Sequence, residues 1–365
     1  MTVPAAHLPD VVDATVAITG MNATDNPAPG VAVARCLRDE PGFRGRVIGL
    51  GYDALDPGFY AAGLLDGGSI IPYPSAGRAA LRDHLGRVRE TFGVDVLVPT
   101  LDSELRAVVA LERDLRDLGV ATFVPTLDSI ERASKPKLPT LAEEGRIRIP
   151  ESEAITTAEA IPQVLQRLGL PAVVKGLYYG AQVVHGEAEA LHAFHHFAAT
   201  WGVPVVVQRH IAGEEYNVAG LGDGTGQTVG AVAMRKLMLT DKGKGWSGVT
   251  VGDPGLLKLS EEVIGSLRWR GGLEVEILKE TGSGDLYVLE INPRFPAWIY
   301  LSAGAGQNLP YACVRLALGL PVARPLPPYR VGTMFVRISL DQISDLATFG
   351  ALSASGVLPT PGASA

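Results

Sequence analysis

Two apolar segments, LEVEILKE at 273–280 and LYVLEINP at 286–293, are separated only by TGSGD, a connection that suits an antiparallel hairpin and is too short for a parallel crossover. Glu276, Glu290 and Asn292 lie inside these segments. Side chains alternate along a strand, so Glu290 and Asn292 share a face, and the hairpin can bring Glu276 beside them. Burying such acids unpaired is costly, so they need a cationic neighbour or a metal ion. Two readings follow: Glu290 forms an ion pair with Arg294 on an amphipathic edge strand, or two carboxylates and an amide oxygen make a hard-oxygen site of the kind Mg²⁺ takes.

The first third of the chain has a different rhythm. ATVAITG at 14–20, RVIGLGY at 46–52 and VDVLVPT at 94–100 are short apolar runs, separated by segments with helical spacing such as GVAVARCLRDE and SELRAVVALERDLRDLG. This is the pattern of βαβ units on a parallel sheet covered on both faces, with VATFVPT at 120–126 as its last strand. The loop MNATDNPAP after the first run lacks the GxGxxG spacing of a dinucleotide site, which argues against a nicotinamide dehydrogenase. Its position at a strand end leaves it open as a small-substrate loop or a rigid turn. Asp102, Ser103 and Glu104, after VLVPT, read either as a helix N-terminus or as substrate-facing groups.

Near residue 127 the pattern changes. PAVVKGLYYGAQVVHG and PVVVQRHIAGEEYNVAGLGD each read as an antiparallel hairpin, AVAMRKL continues the sheet, and DKGKGWSGV reads as a glycine- and lysine-rich loop. Residues 1–125, 126–320 and 321–365 are therefore expected to form a parallel-sheet domain, a second domain rich in antiparallel sheet, and a C-terminal strand with a fraying tail.

At 365 residues the chain can bury more than one core. Hydrophobic residues at 47% and charged residues at 19% fit a soluble globular protein, and a net charge of −7 is a poor footprint for nucleic acid. No run of roughly 18 apolar residues and no export leader are evident. Cys36 and Cys313 stand apart without metal-ligand spacing, so reduced thiols and a cytoplasmic location are expected. His192 and His196 have an i, i+4 spacing but lack the acid of an HExxH motif, and read as a helix surface. Lys175 ends an apolar strand, where its desolvated ammonium needs an anion.

The string LEINPRF, the acid of LEVEI ahead of it, the lysine of AVVKG and the segment VVVQRHIAGEEYNV together resemble the ATP-grasp superfamily, nearest its carbamoyl-phosphate-synthetase-like and biotin-carboxylase-like members. The resemblance spans roughly 126–320, and the first 125 residues resemble the Rossmann-like domain that precedes that fold. It implies mixed α/β and α+β architecture, with antiparallel sheets sandwiching a nucleotide; 126–203 would include the small lid subdomain, and 204–320 the metal and acceptor subdomain.

It also implies ATP with Mg²⁺, for which Mn²⁺ can substitute, held by Glu276, Glu290 and Asn292. Arg294 would contact the transferred phosphoryl group, Lys175 and either Lys135 or Lys137 the phosphates, and Arg235 a phosphate or substrate. Arg209 and Ile211 would offer backbone to adenine and Glu215 a carboxylate to ribose. Gln208 stands where many members carry Glu against the adenine amino group. Lys242 and Lys244 would belong to a lid that closes with GWSGVT; Trp298, Ser302 and Asn308 would line the acceptor pocket. The implied activity is ADP-forming ligation of a small-molecule or peptide carboxylate to an amine. Bicarbonate or a thiol as acceptor is an alternative within the fold, and a non-catalytic nucleotide-binding regulator is the alternative outside it. Dimers are common in the family, which makes a homodimer compatible with the resemblance.

Overall fold

The computed structural model describes residues 11–24, 27–145, 147–177, 180–240 and 245–358. Its first sheet is built from β1 (Val16–Thr19), β2 (Val47–Gly51), β3 (Gly67–Ile70) and β4 (Val96–Val98), all parallel, in the order β3-β2-β1-β4. Every residue of β1, β2 and β4 is buried, as expected of strands covered on both faces. The helix Gly30–Arg38 begins so close to β1 that a Cβ on Gly30 would lie 2.1 Å from the Thr19 carbonyl oxygen. Only glycine allows that approach.

The second sheet pairs β5 (Ser152–Ile155), β6 (Ala172–Lys175), β7 (Ala181–Val184) and β8 (Val205–Arg209) in the order β5-β8-β6-β7. The third contains β9 (Gly213–Asp223), β10 (Thr228–Leu239), β11 (Gly245–Thr250), β12 (Arg270–Glu280), β13 (Leu286–Asn292) and β14 (Met334–Val336), in the order β13-β12-β9-β10-β11-β14. One face of this third sheet packs on the helix Pro254–Leu267 through Val218, Ala231, Val263, Ile264, Val275 and Ile277. On the other face Ala219, Leu221, Val232 and Met234 join a core that includes Val16, Ile18, Val33, Phe295 and Ile299. The two halves of the chain thus share a hydrophobic core instead of meeting at a polar seam.

Four expectations change. VATFVPT contributes only an isolated bridge, Ala121 to Val96, while GGSI at 67–70 supplies a strand the sequence did not announce. The segments around Gln208 and Glu215 do not form a hairpin: β8 pairs with β5 and β6, β9 pairs with β10 and β12, and residues 210–212 carry the chain from one sheet to the other. GWSGVT is strand β11 rather than loop, whereas Lys242 and Lys244 lie outside the described residues.

The C-terminal segment also returns to the body. A helix at Leu346–Ser355 leads into β15 (Val357–Leu358), which pairs antiparallel with β3 opposite Ser69 and Gly68. Leu352 is fully buried within the core shared by the first and third sheets. Leu352→Ala is therefore expected to cost about 2–4 kcal/mol in urea unfolding, the usual cost of an emptied leucine site. A loss below about 0.5 kcal/mol, typical of a surface position, would mean the tail is not docked.

Candidate active site

β12 and β13 pair in the register Glu274↔Asn292 and Glu276↔Glu290, and β12 pairs with β9 at Glu276↔Asn217. Directly opposed residues point to the same face. Strand alternation therefore gathers Glu274, Glu276, Glu290, Asn292, Asn217 and Glu215 on one side of the third sheet. Glu290 does not pair with Arg294: its Oε1 lies 3.3 Å from Lys135 Nζ. Burial raises the Glu290 pKa above the usual carboxylate range and Glu276 adds to the rise, against the attraction of Lys135 and Lys175.

Lys175, at the end of β6, lies within the same field of charges. Burial lowers its pKa below the usual lysine value and Lys135 adds repulsion, against the pull of Glu290, Glu276 and Glu215. Two sheets and the short turn Lys135–Lys137 thus bring two ammonium groups and two carboxylates together. Of the two lysines in that turn, Lys135 is the one paired with Glu290.

Arg235 is not part of this gathering. It pairs in register with Tyr216 and lies 3.6 Å from Glu214, on the face opposite Glu276. Its neighbour Lys236 takes the inward position, 3.8 Å from Glu215 and with 16% of its side chain exposed. Burial acts to lower the Lys236 pKa, but Glu276, Glu215, Glu274 and Glu290 together outweigh it and hold the pKa above the ordinary lysine value. The lysine the geometry selects is one residue beyond the arginine that the sequence suggested.

Arg294 is held between carboxylates. Its Nε donates to Asp102 Oδ2 at 3.2 Å, and its Nη1 lies 3.6 Å from Glu274 Oε2. Asp102 begins the helix Asp102–Ala110, so the segment that follows β4 reaches the site through this contact. Glu104, in contrast, is buried at the first sheet, accepting from Thr19, Tyr52 and the Thr100 and Leu101 amides.

Gln208 is buried on β8, whereas the Arg209 side chain turns outward to Glu151 at 3.0 Å. Ile211 lies in the crossing between the sheets, and Glu215 follows on β9. The three expected pocket residues are placed on the segment that follows β13. Trp298 donates to Glu274, Ser302 is buried in a helix, and Asn308 accepts from the Tyr311 amide at the start of the helix Leu309–Ala317. His192 and His196 lie on the helix Glu187–Trp201.

Glu276, Glu290 and Asn292 suit a hard cation chemically. Among the described residues no group of three or more His, Cys, Asp or Glu could hold a metal, so a cation here would take further oxygens from an amide and from the ligand it accompanies. Opposite Glu276, buried Asn217 Oδ1 has no hydrogen-bond partner among the described residues, the kind of oxygen that a cation or its water satisfies.

Residues 202–337 match a family described as "ATP-grasp in the biosynthetic pathway with Ter operon". The large chain of carbamoyl phosphate synthase from Gemmatimonas aurantiaca is 27% identical over 241 residues, 60% of this chain but 22% of that protein. The chain thus spans about a fifth of that relative's length. A biotin carboxylase from Campylobacter jejuni, solved as a β,γ-ATP complex, superposes with a TM-score of 0.66 at 15% identity, covering 85% of this chain and 72% of its own. An N5-carboxyaminoimidazole ribonucleotide synthetase from Thermus thermophilus gives 0.62 at 18% identity, over 85% and 79%. Residues 202–337 thus match an ATP-grasp family model, and the chain shares its fold with the biotin carboxylase and the N5-carboxyaminoimidazole ribonucleotide synthetase.

Proposed function

We propose that the chain is an ATP-dependent, ADP-forming ligase that activates a carboxylate as an acyl phosphate and transfers the acyl group to an amine. The observation that carries this reading is Glu276 opposite Glu290 on one sheet, with the Lys135 ammonium 3.3 Å from Glu290. That is an arrangement for polyphosphate with a divalent cation.

In this reading Glu276, Glu290 and Asn292 would hold Mg²⁺, or Mn²⁺ in its place. Such a cation would supply positive charge against the phosphate oxygens. Lys135 and Lys175 bind phosphate oxygens. Gln208 faces the adenine amino group, the backbone from Arg209 to Ile211 meets the base edge, and Glu215 accepts from ribose. A substrate carboxylate oxygen bonds to the γ-phosphorus and ADP leaves. The amine nitrogen then attacks the carbonyl carbon; phosphate departs with the electron pair of its C–O bond, and the amine loses a proton. Lys236 offsets the charge of the incoming carboxylate, and Arg294, positioned by Asp102 and Glu274, stabilises oxygens at the acyl phosphate.

The protein should be incubated with ATP, Mg²⁺ and pooled carboxylic acids in the presence of hydroxylamine. A hydroxamate is the expected product, formed together with ADP and inorganic phosphate, because hydroxylamine captures acyl phosphates. A parallel arm with bicarbonate alone distinguishes that acceptor. Failure of every arm to release ADP would favour a nucleotide-binding regulator.

A further inference from the structure

Glu274, two residues before Glu276, is buried with 6% of its surface exposed, yet the reaction outlined above gives it no contact with nucleotide or substrate. Four groups converge on it. Oε1 accepts from Asn217 Nδ2 at 2.8 Å and from Trp298 Nε1 at 2.7 Å. Oε2 accepts from Asn292 Nδ2 at 3.1 Å and lies 3.6 Å from Arg294 Nη1. A carboxylate only accepts, so this acid dictates which end of each amide faces it.

The consequence is sharpest at Asn292. Its Nδ2 donates both to Glu274 Oε2 and, at 3.3 Å, to Glu276 Oε1. With the nitrogen engaged, Oδ1 is the atom left for a cation. The same carboxylate ties Asn292 to Arg294, and through Arg294 to Asp102 on the segment that follows β4.

We infer that Glu274 is a positioning residue that orients the Asn292 amide for the metal and couples that orientation to Arg294 and Trp298. The inference rests on the reading of Glu276, Glu290 and Asn292 as metal ligands. Glu274→Gln keeps the size of the side chain but replaces one acceptor by a donor. Whichever way its amide turns, N–H then faces either Asn217 and Trp298 or Asn292 and Arg294. Donors oppose donors, and the Asn292 amide loses the constraint on its orientation.

The test measures Mn²⁺ binding by electron paramagnetic resonance in the presence of a non-hydrolysable ATP analogue, and analogue affinity without metal by calorimetry. For Glu274→Gln, Mn²⁺ affinity should fall about 10- to 100-fold, as when a residue supporting a metal ligand is lost. Metal-free analogue affinity should stay within about twofold, because no Glu274 atom contacts the nucleotide in this reading. Trp298→Phe, which deletes one N–H donor and keeps the charge, should weaken Mn²⁺ binding about fivefold, the worth of one hydrogen bond, and serves if Glu274→Gln fails to fold. Unchanged Mn²⁺ affinity in the folded variants, or an equal loss with and without metal, overturns the inference. Wild-type protein that binds no Mn²⁺ with the analogue overturns the functional reading as well. Wild-type binding that Glu290→Gln abolishes and Glu274→Gln spares overturns this inference alone.

Discussion

Glu290→Gln is expected to reduce ATP cleavage on the order of 10³-fold, the several kcal/mol that charge neutralisation by a bound cation supplies. The fold should survive the change. Glu290 is held above its ordinary pKa by burial and by the Glu276 charge, so a neutral amide relieves a desolvation cost. Against that, Lys135 loses its partner at 3.3 Å. The two effects oppose one another, and a net change of about 1 kcal/mol in unfolding free energy is expected. Steady-state ADP release together with urea unfolding separates the outcomes: lost turnover in a folded protein supports a metal role, whereas retained turnover shows that these acids are structural. Lost turnover with lost folding would place Glu290 in the core rather than in the chemistry.

A second pair of variants separates two adjacent cations. Lys236→Met should lower kcat/KM by about 10²–10³-fold, typical for removing a charge that stabilises a reacting group. Arg235→Met should change it by less than about threefold, since that side chain is 47% exposed and forms only a surface pair with Glu214. The two residues are neighbours on one strand, so a general effect on β10 would reduce both activities. Equal losses, or a larger loss for Arg235, would contradict the assignment of the inward face.

The difference between these two residues shows what was hard to read. LEVEILKE and LYVLEINP announce a hairpin, because a short turn is a local signal, but the Glu276↔Glu290 pairing is reached through a register shift between Glu276 and Ile277 that alternation does not announce. Position 235 against 236 depends on how β10 meets β9, a pairing with a shift between Thr228 and Gly230. One residue of offset exchanges the two faces. Glu274 is legible by alternation from Glu276, but its partners Asn217, Trp298 and Arg294 come from separate segments that no local pattern brings together.

The parallel and antiparallel character of the two halves was evident in their apolar patterns, and the ATP-grasp resemblance in the motif order. Strand β3 was not evident, because GGSI has no apolar run; Gly67 and Gly68 lie so close to Phe92 and Phe59 that a Cβ on either would stand 2.7 Å from a ring carbon. The connection at 210–212 looked like a hairpin because it is short. Competition from β5 and β6 on one side, and β10 and β12 on the other, sends its two strands to different sheets. The returning tail likewise depends on a distant partner, β3.

The central claim is transfer of the terminal phosphoryl group of ATP to a carboxylate, assisted by Glu276 and Glu290. Phosphorus NMR of the full chain with ATP, Mg²⁺ and a carboxylic acid identified by hydroxamate capture tests it most directly. The account predicts ADP and inorganic phosphate in equal amounts when an amine is present, dependent on both Mg²⁺ and the acid, and lost in Glu290→Gln. AMP with pyrophosphate, or ADP formed at the same rate by Glu290→Gln, would contradict it.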